Sequence, residues 1–243
     1  MIDIHSHIIF GVDDGPKTLE ESLGLLNFAY DQGVRTIVAT SHRRKGMFET
    51  PENVIWEHFQ ILKAEVAEIL PDLTLLYGGE LYYTEDLLSR LEQKEVPTMA
   101  GTRFALIEFS SRTPWKEIHT ALSNVLLLGI TPIVAHIERY EALEYEADRV
   151  DDLIKMGCYT QVNSLSLLKP KFFGDDAKLF KKRAKYFLEN KLVHIIASDM
   201  HNTGVRRPYM KEAYAQIVKD YGQYHADNLF HHNAQTLLEN KYL

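Results

Sequence analysis

Seven short runs rich in β-branched residues alternate along this chain with longer segments of helical periodicity, and this alternation limits the fold more than any other feature. The runs lie at residues 2–4, 36–40, 73–77, 104–109, 131–135, 159–162 and 192–197. Helices are predicted at about residues 18–32, 51–70, 114–128, 141–156 and 175–190, with more after Pro208. Strands and helices in such repeated succession predict a parallel sheet covered on both faces. An open doubly wound sheet and a closed barrel share this pattern, so periodicity leaves both open.

Three of the predicted helices begin at recognisable N-terminal signals. Thr18 and Glu21 have the spacing of a capping box. Thr50 and Thr113 each precede a proline, which predicts a capping hydroxyl followed by proline in the first helical position.

Length and composition predict one globular domain over residues 1–243. The balance of 27 basic against 34 acidic side chains, a net charge of −7, argues against non-specific nucleic-acid binding. The chain starts without an apolar signal segment, and its longest apolar stretch, at residues 125–137, is broken by Gly129, Pro132 and His136. We therefore predict a cytoplasmic protein that does not insert into a membrane.

Imidazole and carboxylate side chains stand at or just beyond the C-terminal ends of six of the seven predicted strands. They are His5, His7, His42, Glu80, Glu108, His136, Asp199 and His201. In parallel α/β folds this edge is where active sites are built, from several strand ends at once. These eight side chains are therefore predicted to meet at one site.

The chemistry of this set predicts a cluster of metal ions. Nitrogen and oxygen donors without thiolates favour zinc, manganese or iron. Eight donors exceed the needs of a single zinc ion, and a carboxylate such as Glu80 can bridge two ions. Asp13 and Asp14 add a candidate ninth ligand, although Asp-Asp-Gly is also a common turn sequence. The other six histidines are predicted to be structural or solvated: His58, His119, His194, His225, His231 and His232.

Covalent routes to phosphate hydrolysis are disfavoured by the sequence. The only cysteine, Cys158, is followed six residues later by Ser164, where a cysteine-dependent tyrosine phosphatase would need arginine. An aspartyl-phosphate mechanism would need aspartate two residues after Asp3, and His5 stands there. We predict that Cys158 is a small buried apolar residue.

Five separated motifs carry a family resemblance that runs essentially from end to end. They are Asp-Ile-His-Ser-His at residues 3–7, Ser41-His42, Gly79-Glu80, Ala-His-Ile-Glu-Arg at 135–139 and Ser-Asp-Met-His at 198–201. Together they resemble the polymerase-and-histidinol-phosphatase (PHP) family. Residues 40–51 and 135–140 are most similar to the CpsB-type manganese-dependent tyrosine-protein phosphatases of bacterial capsule biosynthesis.

The resemblance implies an α/β fold of the PHP type, a distorted (β/α)7 TIM-like barrel with two or three divalent ions in its mouth. Manganese is the expected metal, with iron or zinc as alternatives. Carried over by motif, His5, His7, Glu80 and Asp199 would hold one ion. Glu80, Glu108 and His136 would hold a second, and Asp14, His42 and His201 a third. Many members of the family have histidine where this chain has Asp14.

The predicted reaction is in-line attack on a phosphate ester by a metal-bound hydroxide, because divalent ions lower the pKa of bound water to roughly 7. Arg139 and Arg206 follow ligand motifs and are predicted as catalytic residues that bind the phosphate, which the resemblance also supports. From sequence alone, an arginine in a loop is usually just solvated. Arg43–Lys45 either steer a phosphorylated tail or merely keep a loop soluble, and residues 169–174 either form an aromatic lip for a phosphotyrosyl ring or pack two phenylalanines under a loop.

Four functions are compatible with such a site. The leading one is a protein-tyrosine phosphatase acting on the phosphorylated, tyrosine-rich tail of the capsule tyrosine autokinase, and so regulating capsular or extracellular polysaccharide production. The alternatives are a small-molecule phosphatase for a substrate like histidinol phosphate, a nuclease or proofreading module, and a non-catalytic regulator that binds the kinase. The acidic balance opposes the nuclease, and the intact ligand set opposes the regulator.

Overall fold

A computed structural model describes residues 1–170 and 173–243 and has a mixed α/β architecture. The strands are β1 (Ile2–Ser6), β2 (Thr36–Ala39), β3 (His42–Arg43), β4 (Thr74–Tyr77), β5 (Glu80–Tyr82), β6 (Phe104–Glu108), β7 (Thr131–Val134), β8 (Tyr159–Asn163) and β9 (Ile195–Ala197). The helices are α1 (Leu19–Asp31), α2 (Glu52–Ile69), α3 (Leu87–Glu92), α4 (Trp115–Leu127), α5 (Ala147–Lys155), α6 (Lys178–Glu189), α7 (Met210–Tyr221), α8 (Gln223–Asp227) and α9 (Asn233–Leu238). Lys171 and Phe172 of the predicted aromatic lip lie outside the described residues.

The strands pair in parallel and curl into a half-barrel. One sheet has the order β1-β2-β4 and the other the order β3-β5-β6-β7-β8-β9. Each of the seven predicted runs contains a strand, but the chain adds two short strands, β3 and β5, just after β2 and β4. The link between β4 and β5 is Gly78-Gly79, where a Cβ on Gly78 would approach Val38 Cγ1 to 3.0 Å. At the other edge, Ser6 of β1 forms a parallel bridge with Met200, just beyond β9.

The predicted capping box at α1 is confirmed for its hydroxyl half. The Thr18 side chain accepts a hydrogen bond from the Glu21 backbone N–H at 3.3 Å. The Glu21 carboxylate, however, accepts from the backbone N–H of Lys17 at 2.6 Å. The Glu21 side chain therefore satisfies the backbone N–H of Lys17, the residue before the N-cap, and not that of Thr18.

The predicted threonine caps of α2 and α4 are wrong. Pro51 and Pro114 themselves occupy the N-cap positions, with ψ of 141° and 148°, and neither helix has a side-chain cap. Thr50 instead donates its hydroxyl hydrogen to the carbonyl of Val12 at 2.9 Å. The reason is that the proline φ also suits the extended backbone of an N-cap, whose carbonyl accepts the first helical bonds.

The fourth predicted helix, over residues 141–156, begins later than residue 141. Residues Glu141–Leu143 form a single 3-10 turn, and α5 starts at Ala147. Tyr145 between them has φ of 55°, a left-handed conformation that interrupts helical hydrogen bonding. The last part of the chain contains a π-helical turn, Asn228–His232, between α8 and α9.

Two apolar cores position the strand ends. The larger core lies between the sheets and the outer helices. The smaller one contains interior strand residues such as Ile4, Phe104 and Ile133, and it is closed by Ala234 and Leu237 of α9. The pairing of β1 with β2 shifts register between residues 3 and 6. Such a bulge redirects side chains. Here it lies where the interior side chains of β1 change from apolar, at Ile4, to polar, at His5. Of the helices described, none has the length and apolarity of a membrane span.

Candidate metal centre

All nine side chains predicted as metal ligands converge at the C-terminal ends of the strands. Eight are buried, and the ninth, Asp14, has a side chain that is 39% exposed. Their donor atoms form four overlapping groups, in each of which the atoms lie within 4.8 Å of one another: His7, Asp14, His42 and His201; His5, His136 and Asp199; His5, His7 and Glu80; and His42, Glu80 and Glu108. The predicted convergence of strand ends is thus present in the structure.

Glu80, the first residue of β5, lies at the middle of the cluster. Its Oε1 is 2.9 Å from His136 Nε2 and 3.3 Å from His5 Nε2. Its Oε2 is 2.9 Å from His42 Nδ1 and 3.2 Å from His7 Nε2. Burial would raise the pKa of Glu80, but His5 and His42 hold it well below the usual range. One ionised carboxylate therefore faces four imidazoles from three strand ends, those of β1, β3 and β7.

Asp199 follows β9 and shares two of these rings. Its Oδ1 lies 3.4 Å from the Nε2 atoms of both His5 and His7. Burial opposes ionisation of Asp199, but Arg139 and His5 lower its pKa well below the usual range. Asp199 and His136 have positive φ angles of 52° and 31°. Such strain at two neighbouring positions is typical of a functional site.

Glu108, at the end of β6, faces the cluster from the other side. Its carboxylate oxygens lie 3.5 Å from His42 Nδ1 and 3.7 Å from His136 Nε2. Burial, together with the nearby Glu80 charge, raises the pKa of Glu108 to about 9. Burial and the Arg139 charge lower the pKa of His136 to about 4. Burial and the repulsion among the negative charges of the cluster thus keep Glu108 protonated at neutral pH unless a cation is added.

The two aspartates of the Asp-Asp-Gly turn have different roles. Asp13 is buried, and its Oδ2 accepts hydrogen bonds from His7 Nδ1–H at 2.8 Å and from the His42 backbone N–H at 3.0 Å. Its Oδ1 accepts from the Gly15 backbone N–H at 2.9 Å. Although burial favours the neutral acid, His7 holds the pKa of Asp13 well below its usual range. Asp13 therefore orients His7 from behind.

Asp14 instead points into the cluster. Its Oδ1 lies 3.2 Å from His201 Nε2 and 3.6 Å from His42 Nε2. Of the two neighbouring acids, Asp14 is the one whose carboxylate belongs to a candidate ligand group.

Two amide side chains of β8 join the site, and the sequence reasoning missed both. Gln161 Oε1 accepts hydrogen bonds from the His136 backbone N–H at 2.8 Å and from His5 Nδ1–H at 3.1 Å. Gln161 Nε2 donates to Asn163 Oδ1, and Asn163 Nδ2 donates to Asp199 Oδ2, each at 2.8 Å. The available signal was their position, because β8 is the strand whose end lacks an imidazole or carboxylate.

Both predicted arginines lie at the edge of the cluster. Arg139 donates to Asp199 Oδ2. Arg206 donates to Asp14 Oδ2 at 2.7 Å, and its other terminal nitrogen lies 3.5 Å from Asp199 Oδ1. Their side chains are 32% and 35% exposed, so both can be reached from solvent.

The histidines and the cysteine assigned to structural roles lie elsewhere. His58 Nδ1–H donates to the carbonyl of Phe10, and His119 pairs with Asp152. Cys158 is 1% exposed, and burial raises the pKa of its thiol to about 12. The prediction that Cys158 is a buried apolar residue is confirmed.

The cluster has the features of a metal centre rather than of a hydrogen-bonded polar core. Among the described residues, His42 Nδ1, His201 Nε2, Glu80 Oε2 and Glu108 Oε2 are buried without a hydrogen bond. Each imidazole nitrogen in this set nevertheless lies within 3.7 Å of a carboxylate oxygen of the cluster, and each carboxylate oxygen lies equally close to an imidazole nitrogen. Buried polar atoms of this kind are costly unless a partner satisfies them, and more than one bound cation would be needed to satisfy these four, because they belong to different donor groups.

The chain matches a known protein family along nearly its whole length. The family model for capsular polysaccharide synthesis, CpsB/CapC, matches residues 1–239. Tyrosine-protein phosphatase CpsB of Streptococcus agalactiae serotype V is 62% identical over 243 residues, the full length of both chains.

Two solved structures are similar in fold. A chain from the crystal structures of YwqE from Bacillus subtilis and CpsB from Streptococcus pneumoniae, described as unique metal-dependent tyrosine phosphatases, superposes with a TM-score of 0.87. It is 29% identical, and the match covers 100% of this chain and 96% of that one. The phosphotriesterase homology protein of Escherichia coli has a TM-score of 0.61 at 12% identity, with 96% of each chain covered, which shows a shared fold.

Proposed function

Because the chain belongs to the CpsB/CapC family of capsular polysaccharide synthesis, we propose that it is a metal-dependent protein-tyrosine phosphatase. The observation that carries the proposal is the convergence of nine imidazole and carboxylate side chains at one edge of a parallel sheet. The similarity to metal-dependent tyrosine phosphatases supports the choice of reaction.

We propose that these nine side chains are the metal ligands. One ion would be held by His5, His7, Glu80 and Asp199, a second by Glu80, Glu108 and His136, and a third by Asp14, His42 and His201. The four donor groups support this division in part, because His7 also lies near the third set, His42 near the second, and His136 is grouped with His5 and Asp199 of the first. Nitrogen and oxygen donors favour manganese, with iron and zinc as alternatives.

The bound ions would supply a water ligand of lowered pKa and would bind phosphoryl oxygens. The remaining chemistry belongs to the chain itself. Arg139 and Arg206 are proposed to bind phosphate oxygens, since their guanidinium groups lie beside Asp199 and Asp14 and remain a third exposed. Glu80 and Asp199 stay ionised and supply negative charge for the cations. Cys158 contributes no nucleophile, because its thiol is buried and protonated.

We further propose that residues 1–243 form one domain, a distorted (β/α)7 barrel of the PHP type. Counting β2 with β3 and β4 with β5 as interrupted single strands gives seven strands in the order of the chain. The bridge between Ser6 and Met200, and the hydrogen bond from the Asp199 backbone N–H to the His5 carbonyl at 2.8 Å, support closure between the first and last strands.

The proposed substrate is the phosphorylated, tyrosine-rich tail of the capsule tyrosine autokinase, and removal of its phosphate would regulate polysaccharide production. The family's part in capsular polysaccharide synthesis supports this partner. Nucleic acid is not part of the proposal, and a cytoplasmic location stays a prediction.

One experiment separates the proposed activity from its alternatives. Purified protein loaded with manganese is offered a phosphotyrosyl peptide, a phosphoseryl peptide, histidinol phosphate and single-stranded DNA. We expect phosphate release from the phosphotyrosyl peptide, and its loss in His136→Ala and Asp199→Ala. His119→Ala, at a histidine paired with Asp152 outside the cluster, is the matched control and should retain activity.

The other outcomes are equally informative. Preferential hydrolysis of histidinol phosphate would replace the proposal with a small-molecule phosphatase. Unchanged activity in His136→Ala and Asp199→Ala, with metal content also unchanged, would refute the assigned ligands.

A further inference from the structure

Arg44 lies just beyond the metal centre, on the side of the barrel mouth. Side chains alternate along a strand, so Arg44 shares the face of His42, two residues before it. Its guanidinium lies 4.2 Å from the ring centroid of Tyr82. Tyr82 follows Glu80 on the same face of β5 and pairs in register with Glu108. Arg44 and Tyr82 therefore stand directly above the layer formed by His42 and Glu80.

The turn that carries Arg44 is fixed to the cluster at its other end. The Phe48 backbone N–H donates to the Arg44 carbonyl at 2.8 Å, and the two residues form an antiparallel bridge. The Phe48 ring stacks on the His42 ring with a centroid distance of 4.8 Å and an interplanar angle of 3°. Arg44 is thus held by Tyr82 on one side and by its own turn on the other.

The charge of Arg44 is not neutralised by a carboxylate. The guanidinium groups of Arg43, Arg139 and Arg206 each pair with one. That of Arg44 forms no hydrogen bond or ion pair with any residue in 1–170 or 173–243. The mouth therefore presents one positive group that is free to bind an anion.

We propose that Arg44 is a substrate-binding residue, whose guanidinium, stacked on Tyr82, binds the phosphoryl oxygens of the substrate. Stacking on an aromatic face leaves the N–H groups in the guanidinium plane free, and their fork matches a phosphate. Arg139 and Arg206 approach from the side of Asp199 and Asp14, whereas Arg44 approaches from the side of Glu108. The inference rests on the proposed phosphatase activity and adds a third arginine to it.

The test compares Arg44→Gln with the wild type in the metal-loaded protein. Kinetics are measured on p-nitrophenyl phosphate and on a phosphotyrosyl peptide without acidic neighbours, and binding of inorganic phosphate is measured by calorimetry. We expect kcat/KM to fall by about 10- to 100-fold on both substrates, the effect of losing a charged hydrogen bond. The Kd for phosphate should rise by about the same factor, while metal content stays unchanged.

Three further variants separate substrate binding from structural effects. Arg35→Gln is the matched control, because the Arg35 guanidinium also stacks on a tyrosine, 3.7 Å from the Tyr30 ring, just before β2 at the opposite end of the sheet. It should leave phosphate binding unchanged. Tyr82→Ala should weaken phosphate binding by several-fold, on the order of one lost cation–π contact, and Tyr82→Phe, which keeps the stacking ring, should recover most of that loss.

Several outcomes would overturn the inference. Wild-type phosphate affinity in Arg44→Gln would remove Arg44 from the phosphate site. A loss seen with the phosphotyrosyl peptide but not with p-nitrophenyl phosphate would reassign it to the peptide chain, and reduced metal content would make it a structural residue. If the wild type released no phosphate from any substrate, the proposed function would fail, while the calorimetry would still report whether Arg44 binds phosphate.

Discussion

Replacing Asp13 with asparagine tests whether a residue that touches no proposed ion controls metal affinity. The change keeps the side-chain shape and removes the charge behind His7. In the wild type, Asp13 Oδ2 accepts from His7 Nδ1–H at 2.8 Å, which leaves His7 Nε2 as the atom that faces Glu80 and Asp199. An asparagine amide can donate to Nδ1 instead and would move the ring proton to Nε2, where it opposes metal binding.

The expected size of the effect follows from the contacts that Asp13 makes. Its carboxylate accepts three buried hydrogen bonds, two of them from the proposed ligand residues His7 and His42. Removing a carboxylate that orients a ligating histidine costs roughly 10- to 100-fold in metal affinity, which corresponds to about 1.4–2.8 kcal/mol. At saturating manganese the nine proposed ligands are all still present, so kcat should stay within a few-fold of the wild type.

The assay is a manganese titration of phosphatase activity on protein stripped with a chelator, with metal content measured in parallel. Asp72→Asn, an exposed aspartate in the turn between α2 and β4, serves as the control. Denaturant unfolding shows whether Asp13→Asn is folded. A folded Asp13→Asn with the wild-type manganese midpoint would refute the orienting role, and so would an equal loss in Asp72→Asn.

Three other changes probe the same structure. Gly15→Ala would bring a Cβ to 2.6 Å from the His7 carbonyl oxygen, so we expect a loss of about 1–3 kcal/mol in unfolding free energy; unchanged stability in urea would mean that the turn can move. Cys158→Ala should keep full activity, and thiol reagents should not inhibit the native protein, because burial raises the pKa of this thiol to about 12; inhibition that disappears in the variant would contradict this. Burial lowers the pKa of His194 to about 4. Between pH 6.5 and pH 4 the unfolded chain therefore binds a proton at this histidine that the folded chain does not bind. The free energy of unfolding should fall as the pH drops through this range. His194→Asn should remove about 2–3 kcal/mol of that fall, and identical pH profiles of urea unfolding for the two proteins would refute it.

Sequence patterns predicted the structure correctly wherever a local pattern allows only one arrangement of the chain. Apolar runs alternating with helical segments predict parallel strands, and parallel strands bring their C-terminal ends to one edge. For that reason His42, Glu80 and Asp199 could be predicted to meet although they are far apart in the chain. The threonines before Pro51 and Pro114 were misread because the same dipeptide fits two positions at a helix start, and the choice depends on what else the hydroxyl can reach.

Gln161 illustrates what the sequence could not supply. Its amide oxygen accepts from His5 and from the His136 backbone, while its amide nitrogen donates to Asn163. Glutamate would lack that donor, and it would also add a buried negative charge beside Glu80, which burial makes costly. A neutral amide is therefore the chemistry that this position requires, yet glutamine is also an ordinary strand residue. The requirement becomes visible only when the ligands of other strands are seen around it, and the same holds for Arg44, which is identified by its lack of a carboxylate partner.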